Sequence, residues 1–157
     1  MEDQHKHKDE AVLNYDYIED GIYIGSKQCC VLGLNAVLKK EGITADISLE
    51  ETRLDQPFGV EAYLWMPIAN HTAPTPDQLT LGVRTLRTFV EQGKKVYVHC
   101  QNGHGRAPTI VAAYFISKGL SVQEAIALVT RKRPAAHLQD AQKIALEDFS
   151  RIQLRIT

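Results

Sequence analysis

The chain has 157 residues, 44% of them hydrophobic and 24% charged, with 18 Lys and Arg against 19 Asp and Glu for a formal charge of −1. That length suits one domain, which at this size buries about two-thirds of its unfolded surface and needs no covalent staples. The composition excludes disordered and fibrous classes, and the even charge balance excludes a general nucleic-acid binder. Three cysteines, two of them adjacent at Cys29 and Cys30, make neither a secreted disulfide framework nor a zinc quartet, so a reducing, cytoplasmic setting is expected. The N-terminus lacks the apolar stretch of a signal peptide, and no apolar run approaches the about 20 residues of a membrane span.

Residues 1–10 are polar and predict a flexible tail, with a single domain over 11–157. Residues 21–25 read as a short strand. Ser26 predicts the cap of a helix carrying Cys30, Leu34, Val37 and Leu38 inward and stopping at Gly42. Strands follow at 43–49 and 62–68, with Trp65 read as core. Thr75-Pro76-Asp77-Gln78 is a capping box with Pro in the first turn, opening a helix that turns Leu79, Val83, Leu86 and Val90 inward and ends at Gly93. A strand at 95–99 precedes a helix from about Ala107 to Gly119. Ser121-Val122-Gln123-Glu124 is a second capping box, and its helix must stop before Pro134. The last helix covers about 139–153, with Ile144, Ala145, Phe149 and Ile152 on one face. Strands alternating with helices predict an α/β fold, a central, mostly parallel sheet flanked by helices.

Chemistry concentrates in the run from Val96 to Thr109, where Cys100 ends a β-rich segment and Arg106 stands six positions later at a helix start. Between them lie Gln101, Asn102, Gly103, His104 and Gly105. Two glycines let such a loop turn its N–H groups inward as an anion nest, and the helix adds its positive N-terminal dipole. Those donors and a guanidinium favour a thiolate, and the same cradle suits a phosphate that Arg106 grips with a bidentate fork. A thiolate beside a bound phosphate is poised to attack phosphorus.

This run resembles the cysteine-dependent protein tyrosine phosphatase superfamily, specifically its compact dual-specificity branch. His99, Cys100, Gly103 and Arg106 match the family signature, but Ala107 stands where the hydroxyl after the Arg belongs, with Thr109 two positions further. Pro67-Ile68-Ala69-Asn70-His71-Thr72-Ala73-Pro74-Thr75 resembles the general-acid loop, and Arg133-Pro134 with Leu138 and Gln142 resembles the branch's C-terminal pattern. The resemblance implies a dual-specificity phosphatase-like fold and hydrolysis of phosphate monoesters, phosphotyrosine and also phosphoserine or phosphothreonine, through a phosphocysteine intermediate. Cys100 would be nucleophile, the N–H groups of 101–106 and the Arg106 side chain the phosphate ligands, His99 and Thr109 the supports. No cofactor or metal is implied. The expected partner is a phosphorylated protein or small phosphomonoester met by a monomer, not nucleic acid or a membrane.

One departure stands out: the family's general acid is an Asp, and Asn70 occupies its place. An amide cannot donate a proton at useful rates, so the acid is lost or its role passes to His71 or Asp77. Loss of turnover altogether would leave a phosphate-binding pseudophosphatase module; sulfur transfer of the rhodanese kind is a more distant alternative. Cys29 and Cys30 read as small buried hydrophobes or, less simply, a vicinal redox pair. Glu50, Glu51 and Arg53 read as a solvated turn, with contact to Arg106 as the alternative. Arg131-Lys132-Arg133 reads as a charged helix end that can also draw an anionic substrate.

Overall fold

The computed structural model describes residues 12–156, so the tail expected at 1–10 lies outside the described residues. Five strands form one sheet in the order β1-β2-β5-β3-β4: β1 (Tyr15–Glu19), β2 (Ile22–Gly25), β3 (Ile43–Ser48), β4 (Ala62–Trp65) and β5 (Lys95–His99). β1 runs antiparallel to β2, and every other pairing is parallel. The mostly parallel α/β sheet matches the expected fold class. β1 has no counterpart in the sequence reading. It closes a hairpin on Asp20 and Gly21, whose φ angles of 55° and 79° are the positive values that a tight two-residue turn requires.

The helix expected from Ser26 to Gly42 is broken. A 3-10 turn covers Lys27–Cys30, and α1 occupies only Ala36–Glu41. Between them Gly33 adopts φ 87°, and the N–H groups of Gly33 and Leu34 donate to the carbonyls of Gln56 and Phe58 at 2.8 and 2.9 Å. Bonds to a distant segment replace helical ones there. Ser26 caps nothing, since its Oγ accepts from the Asn14 N–H at 3.2 Å; Asn35 caps α1 instead, accepting from Val37 N–H at 2.9 Å. Val37 faces solvent.

Both capping boxes form. The Thr75 hydroxyl accepts from Gln78 N–H while the Gln78 side chain accepts from Thr75 N–H, and Ser121 with Glu124 repeats the pattern. They open α2 (Pro76–Glu91) and α4 (Val122–Lys132). α3 (Arg106–Ser117) is buried from Arg106 to Ile116, packed against the sheet and against α2, α4 and α5 (Asp140–Ile156). α5 turns Gln142, Leu146 and Phe149 inward and leaves Ile144 57% exposed, so its buried face is offset from the expected one.

Period-two alternation divides the sheet's two faces. Ile22, Ile24, Ala45, Ile47, Val96 and Val98 meet the helices in the main core. Tyr23 and Tyr97 face the other way, into a smaller cluster with Cys29, Cys30, Leu34 and Leu38 under the 3-10 turn and α1. No helix among the described residues is long and apolar enough to cross a membrane.

Candidate active site

The parallel strands β2, β5 and β3 end together at Gly25, His99 and Ser48. Ligands of open α/β sheets bind at this carboxyl edge, and here Cys100 leaves the central strand while α3 starts at Arg106. The helix has no side-chain cap at Gly105, which leaves its first-turn N–H groups for an anion. Pro108, lacking an N–H, fits that first turn without losing a helical bond.

Hydrogen bonds around the loop fix its curvature. Five consecutive carbonyls accept from donors outside its concave side: Gln101 from Lys27 N–H at 3.1 Å, Asn102 and Gly103 from the Arg133 side chain at 2.8 and 2.9 Å, His104 from His137 N–H at 2.8 Å, and Gly105 from the Thr109 hydroxyl at 2.7 Å. In a trans peptide the next N–H points opposite its carbonyl. The N–H groups of residues 102–106 are therefore turned toward the concave side, beside the Cys100 thiol. Gly103 sits at φ 70°, where a Cβ would come within 2.8 Å of the Gly25 carbonyl and 2.9 Å of Arg133 Nη2, so only Gly fits. Thr109, expected as a support, commits its hydroxyl proton to the Gly105 carbonyl, a bond to the loop backbone and not to the Cys100 sulfur.

Arg106 is buried, with Nη1 donating to the Ile68 carbonyl at 2.8 Å and the Leu49 carbonyl at 3.4 Å, and Nη2 lying 3.9 Å from Glu50 Oε2. Glu50 is thus no solvated turn residue; it is 2% exposed. Burial would raise its carboxyl, but hydrogen bonds from the Thr52 backbone and side chain, with Arg106 and Lys27 nearby, outweigh this and hold it below the usual range. One edge of the guanidinium is thereby pinned. Arg106→Lys keeps the charge but cannot span these anchors and still present a fork to phosphate, so kcat/KM should fall by about 10²–10³. A lysine variant with near-full activity would reduce Arg106 to a point charge.

Arg133 corrects the reading of the basic helix end. Arg131 and Lys132 are exposed, but Arg133 is fully buried, and its Nη1 also donates to Asp16 Oδ2 at 2.9 Å, tying the loop to β1. Its donors go to the loop carbonyls and to Asp16, so it holds the loop's shape. Arg133→Met should cost about 1–3 kcal/mol for each stranded buried carbonyl, read by urea unfolding. Unchanged stability would remove Arg133 from the loop's support.

Behind the loop, His99 is fully buried. Its Nδ1 lies 3.3 Å from the Cys100 carbonyl, and its Nε2 is 2.6 Å from Asp55 Oδ2 and 3.4 Å from Asp46 Oδ1. Burial alone would lower its pKa, but the two carboxylates outweigh burial and raise it well above the ordinary value. Neither Asp46 nor Asp55 carried a signal in sequence, since both partners are distant along the chain.

The acid-type loop closes the cleft. Asn70, His71, Cys100, Gln101, Asn102, His104, Gly105 and Arg106 line a cavity of about 210 Å³ together with His137, Gln139 and Gln142. Asn70 Oδ1 accepts from His71 N–H at 3.0 Å, and Asn70 N–H donates to Glu51 Oε1 at 2.9 Å. Asp77 is exposed in the first turn of α2 and is not among the lining residues. The start of α5 clamps both loops: the Gln139 amide meets His71 Nδ1 at 2.8 Å, Gln142 Nε2 donates to the Thr72 carbonyl at 3.3 Å, and a Cβ on Gly105 would meet Gln142 at 3.0 Å. His104 packs against His137 at the rim, the rings tilted by 44° with centroids 5.3 Å apart. Trp65, expected in the core, is 41% exposed and donates its indole N–H to the Glu50 carbonyl at 2.7 Å.

The chain is similar to the Arabidopsis thaliana phosphatidylglycerophosphate phosphatase PTPMT2, 34% identical over 125 residues that cover 74% of this chain and 54% of the relative. It thus spans about half the length of that curated relative. Its fold is similar to human DUSP28, with TM-score 0.81 at 18% identity over 93% of this chain and 100% of the other. Tk-PTP in its active form is 30% identical, with TM-score 0.72 over 87% of this chain and 96% of the other. The family model for the dual specificity phosphatase catalytic domain matches residues 22–152, the whole span from β2 through most of α5, and the chain belongs to that family.

Proposed function

We propose that this chain hydrolyses phosphate monoesters, with Cys100 as nucleophile. The supporting observation is the outward turn of five successive carbonyls, which points five N–H groups at one place beside a thiol and a pinned guanidinium. The Cys100 thiolate attacks phosphorus in line as the P–O ester bond breaks, and the leaving oxygen departs as an anion that takes its proton from solvent. Water then attacks the phosphocysteine, the S–P bond breaks, inorganic phosphate leaves and the thiolate is restored. The N–H groups of 102–106 and Arg106 hold the equatorial oxygens as charge builds on them.

The substrate class follows from the leaving group. PTPMT2 is named for a phospholipid whose phosphate sits on an alkyl oxygen, and such oxygens depend most on an acid. With Asn70 at the acid position, a phenolic leaving group is favoured, so the reading for this chain is phosphotyrosine ahead of phosphoserine or a phospholipid. A rim of His71, His104, His137 and Gln139 is polar and suits a phosphopeptide. Release of inorganic phosphate from a phosphotyrosine peptide, and its absence from Cys100→Ser, tests the reading. Binding of phosphate analogues with no release from any ester would make the chain a pseudophosphatase.

A further inference from the structure

The face of the sheet away from α3 carries a second group of chemically active side chains that the proposed reaction leaves unexplained. Strand alternation places Asp46 and His99 on that face, the 3-10 turn lays Cys29 and Cys30 over them, and Asp55 arrives from the segment between β3 and β4. One ligand-type atom from each of these five residues lies within 4.8 Å of all the others, and all five residues are buried. An ion with Zn–N bonds of about 2.0 Å and Zn–S bonds of about 2.3 Å sets its tetrahedral donors about 3.3–3.8 Å apart. Here Cys30 Sγ lies 3.4 Å from one Asp46 oxygen, Oδ2, and His99 Nε2 lies 3.4 Å from the other, Oδ1, while the 2.6 Å between His99 Nε2 and Asp55 Oδ2 is too short for two donors of one ion and keeps Asp55 outside the ligand set.

Two further observations point to a ligand. Asp46 is fully buried, yet its Oδ1 is not hydrogen-bonded and has only His99 Nε2 at 3.4 Å, and the buried Asp55 Oδ1 likewise has only the Arg53 guanidinium at 3.7 Å. Orphaned buried carboxylate oxygens are costly, and a cation satisfies them. The imidazole is also oriented as a ligand. A carbonyl only accepts, so the 3.3 Å contact with the Cys100 carbonyl places a proton on His99 Nδ1, while Nε2 faces the carboxylates and, 2.6 Å from Asp55 Oδ2, must release the proton it shares with Asp55 before it ligates an ion. Metal-bound histidines characteristically donate their other N–H to a backbone carbonyl in this way.

We propose that Cys29, Cys30, His99 and Asp46, flanked by Asp55, form a structural site for a zinc-class divalent ion directly beneath the phosphate loop. Two sulfurs, one imidazole nitrogen and one carboxylate oxygen are a borderline-soft donor set that suits Zn²⁺. Counting cysteines does not disclose it, because two of its four ligands are not cysteine. Binding releases the thiol protons and any proton on Nε2 to solvent. The ion would lock His99 and, through Nδ1–H, the carbonyl of the nucleophile's own residue. The rival account is a metal-free network in which an imidazolium sits between the two carboxyls, with burial holding Cys29 neutral and burial and Asp46 outweighing a Cys29 hydrogen bond to do the same for Cys30.

The test is metal content and cobalt spectroscopy on the full chain. Protein expressed with added zinc and then dialysed should retain about one zinc per chain and lose thermal stability on chelation. The Co²⁺-loaded protein should show thiolate-to-cobalt charge transfer and the intense visible bands of tetrahedral coordination. Cys100→Ser should keep both signatures, and the double variant Cys29→Ser, Cys30→Ser should lose them. Should that variant fail to fold, the isosteric Asp46→Asn carries the test, weakening zinc binding by at least about tenfold. The proposal is overturned if the wild type holds no stoichiometric zinc and shows no tetrahedral cobalt bands, if the bands vanish in Cys100→Ser alone, or if Cys29 and Cys30 are found joined as a vicinal disulfide. None of these readouts involves turnover, so the site stands or falls separately from the phosphatase reading.

Discussion

Replacing Cys100 by Ser is expected to lower turnover by at least about 10⁴, the scale of loss on removing a covalent nucleophile, while phosphate analogues still bind. Serine keeps the size of the side chain, but a hydroxyl is a far weaker nucleophile than sulfur and has no sulfur lone pair to offer phosphorus. The anion site, by contrast, is built from backbone. Its five N–H groups are aimed by Lys27, Arg133, His137 and Thr109, whose bonds go to loop carbonyls and not to the substituted side chain. Affinity for tungstate or inorganic phosphate should therefore stay within about tenfold of the unsubstituted protein, a change under about 1.4 kcal/mol. Isothermal titration with each anion, run beside phosphate release from a phosphotyrosine peptide, separates the two properties. Turnover that survives the substitution would make Cys100 a bystander. Loss of anion binding together with turnover would mean that the sulfur, rather than the peptide N–H groups, organises the cradle.

The parts of this fold that were legible in sequence are those fixed by neighbours in the chain. Thr75 with Gln78 and Ser121 with Glu124 lie three residues apart, so each pair can be read as a helix start without knowing anything else. The Asp20-Gly21 turn is equally local, because those residue types tolerate positive φ, so β1 was missed although its signal was there to be read. The other failures share the opposite property. Apolar spacing from Cys30 to Leu38 matches a helix, but carbonyls from Gln56 and Phe58 capture the N–H groups at Gly33 and Leu34 and break it. In the site, Cys100 and Arg106 stand on one short loop and were legible together. Glu50, Asp55 and Arg133 act on that loop from 30 to 57 residues away along the chain, and only folding brings them there. Charge and sequence position alone make each of them look like surface.

Restoring a carboxylic acid by Asn70→Asp should raise turnover, and by more on alkyl than on aryl esters. A positioned general acid is worth about 10²–10⁴ in rate, or about 3–5 kcal/mol of barrier. Its value grows with the basicity of the leaving oxygen. A tyrosine phenol has a pKa of about 10 and departs as an anion with modest help, whereas a serine alkoxide is far more basic and needs the proton in the transition state. The loop should survive the change. Asn70 serves it through Oδ1, which accepts from His71 N–H, and through its own N–H, which donates to Glu51; a carboxyl keeps the acceptor and leaves the backbone donor untouched. The expected pattern is a gain near the upper end of that range for a phosphoserine peptide, a smaller gain for phosphotyrosine, and the smallest for an activated aryl phosphate. Faster hydrolysis of the phosphocysteine should accompany it, because the same carboxylate serves as base for the attacking water. Equal rates for the two proteins across the series would place the proton donor elsewhere in the cleft. His71 is the titratable residue beside Asn70 in that lining, whereas Asp77 lies outside it, so His71→Ala assayed against pH would then have to abolish the slope with leaving-group basicity that Asn70→Asp failed to change.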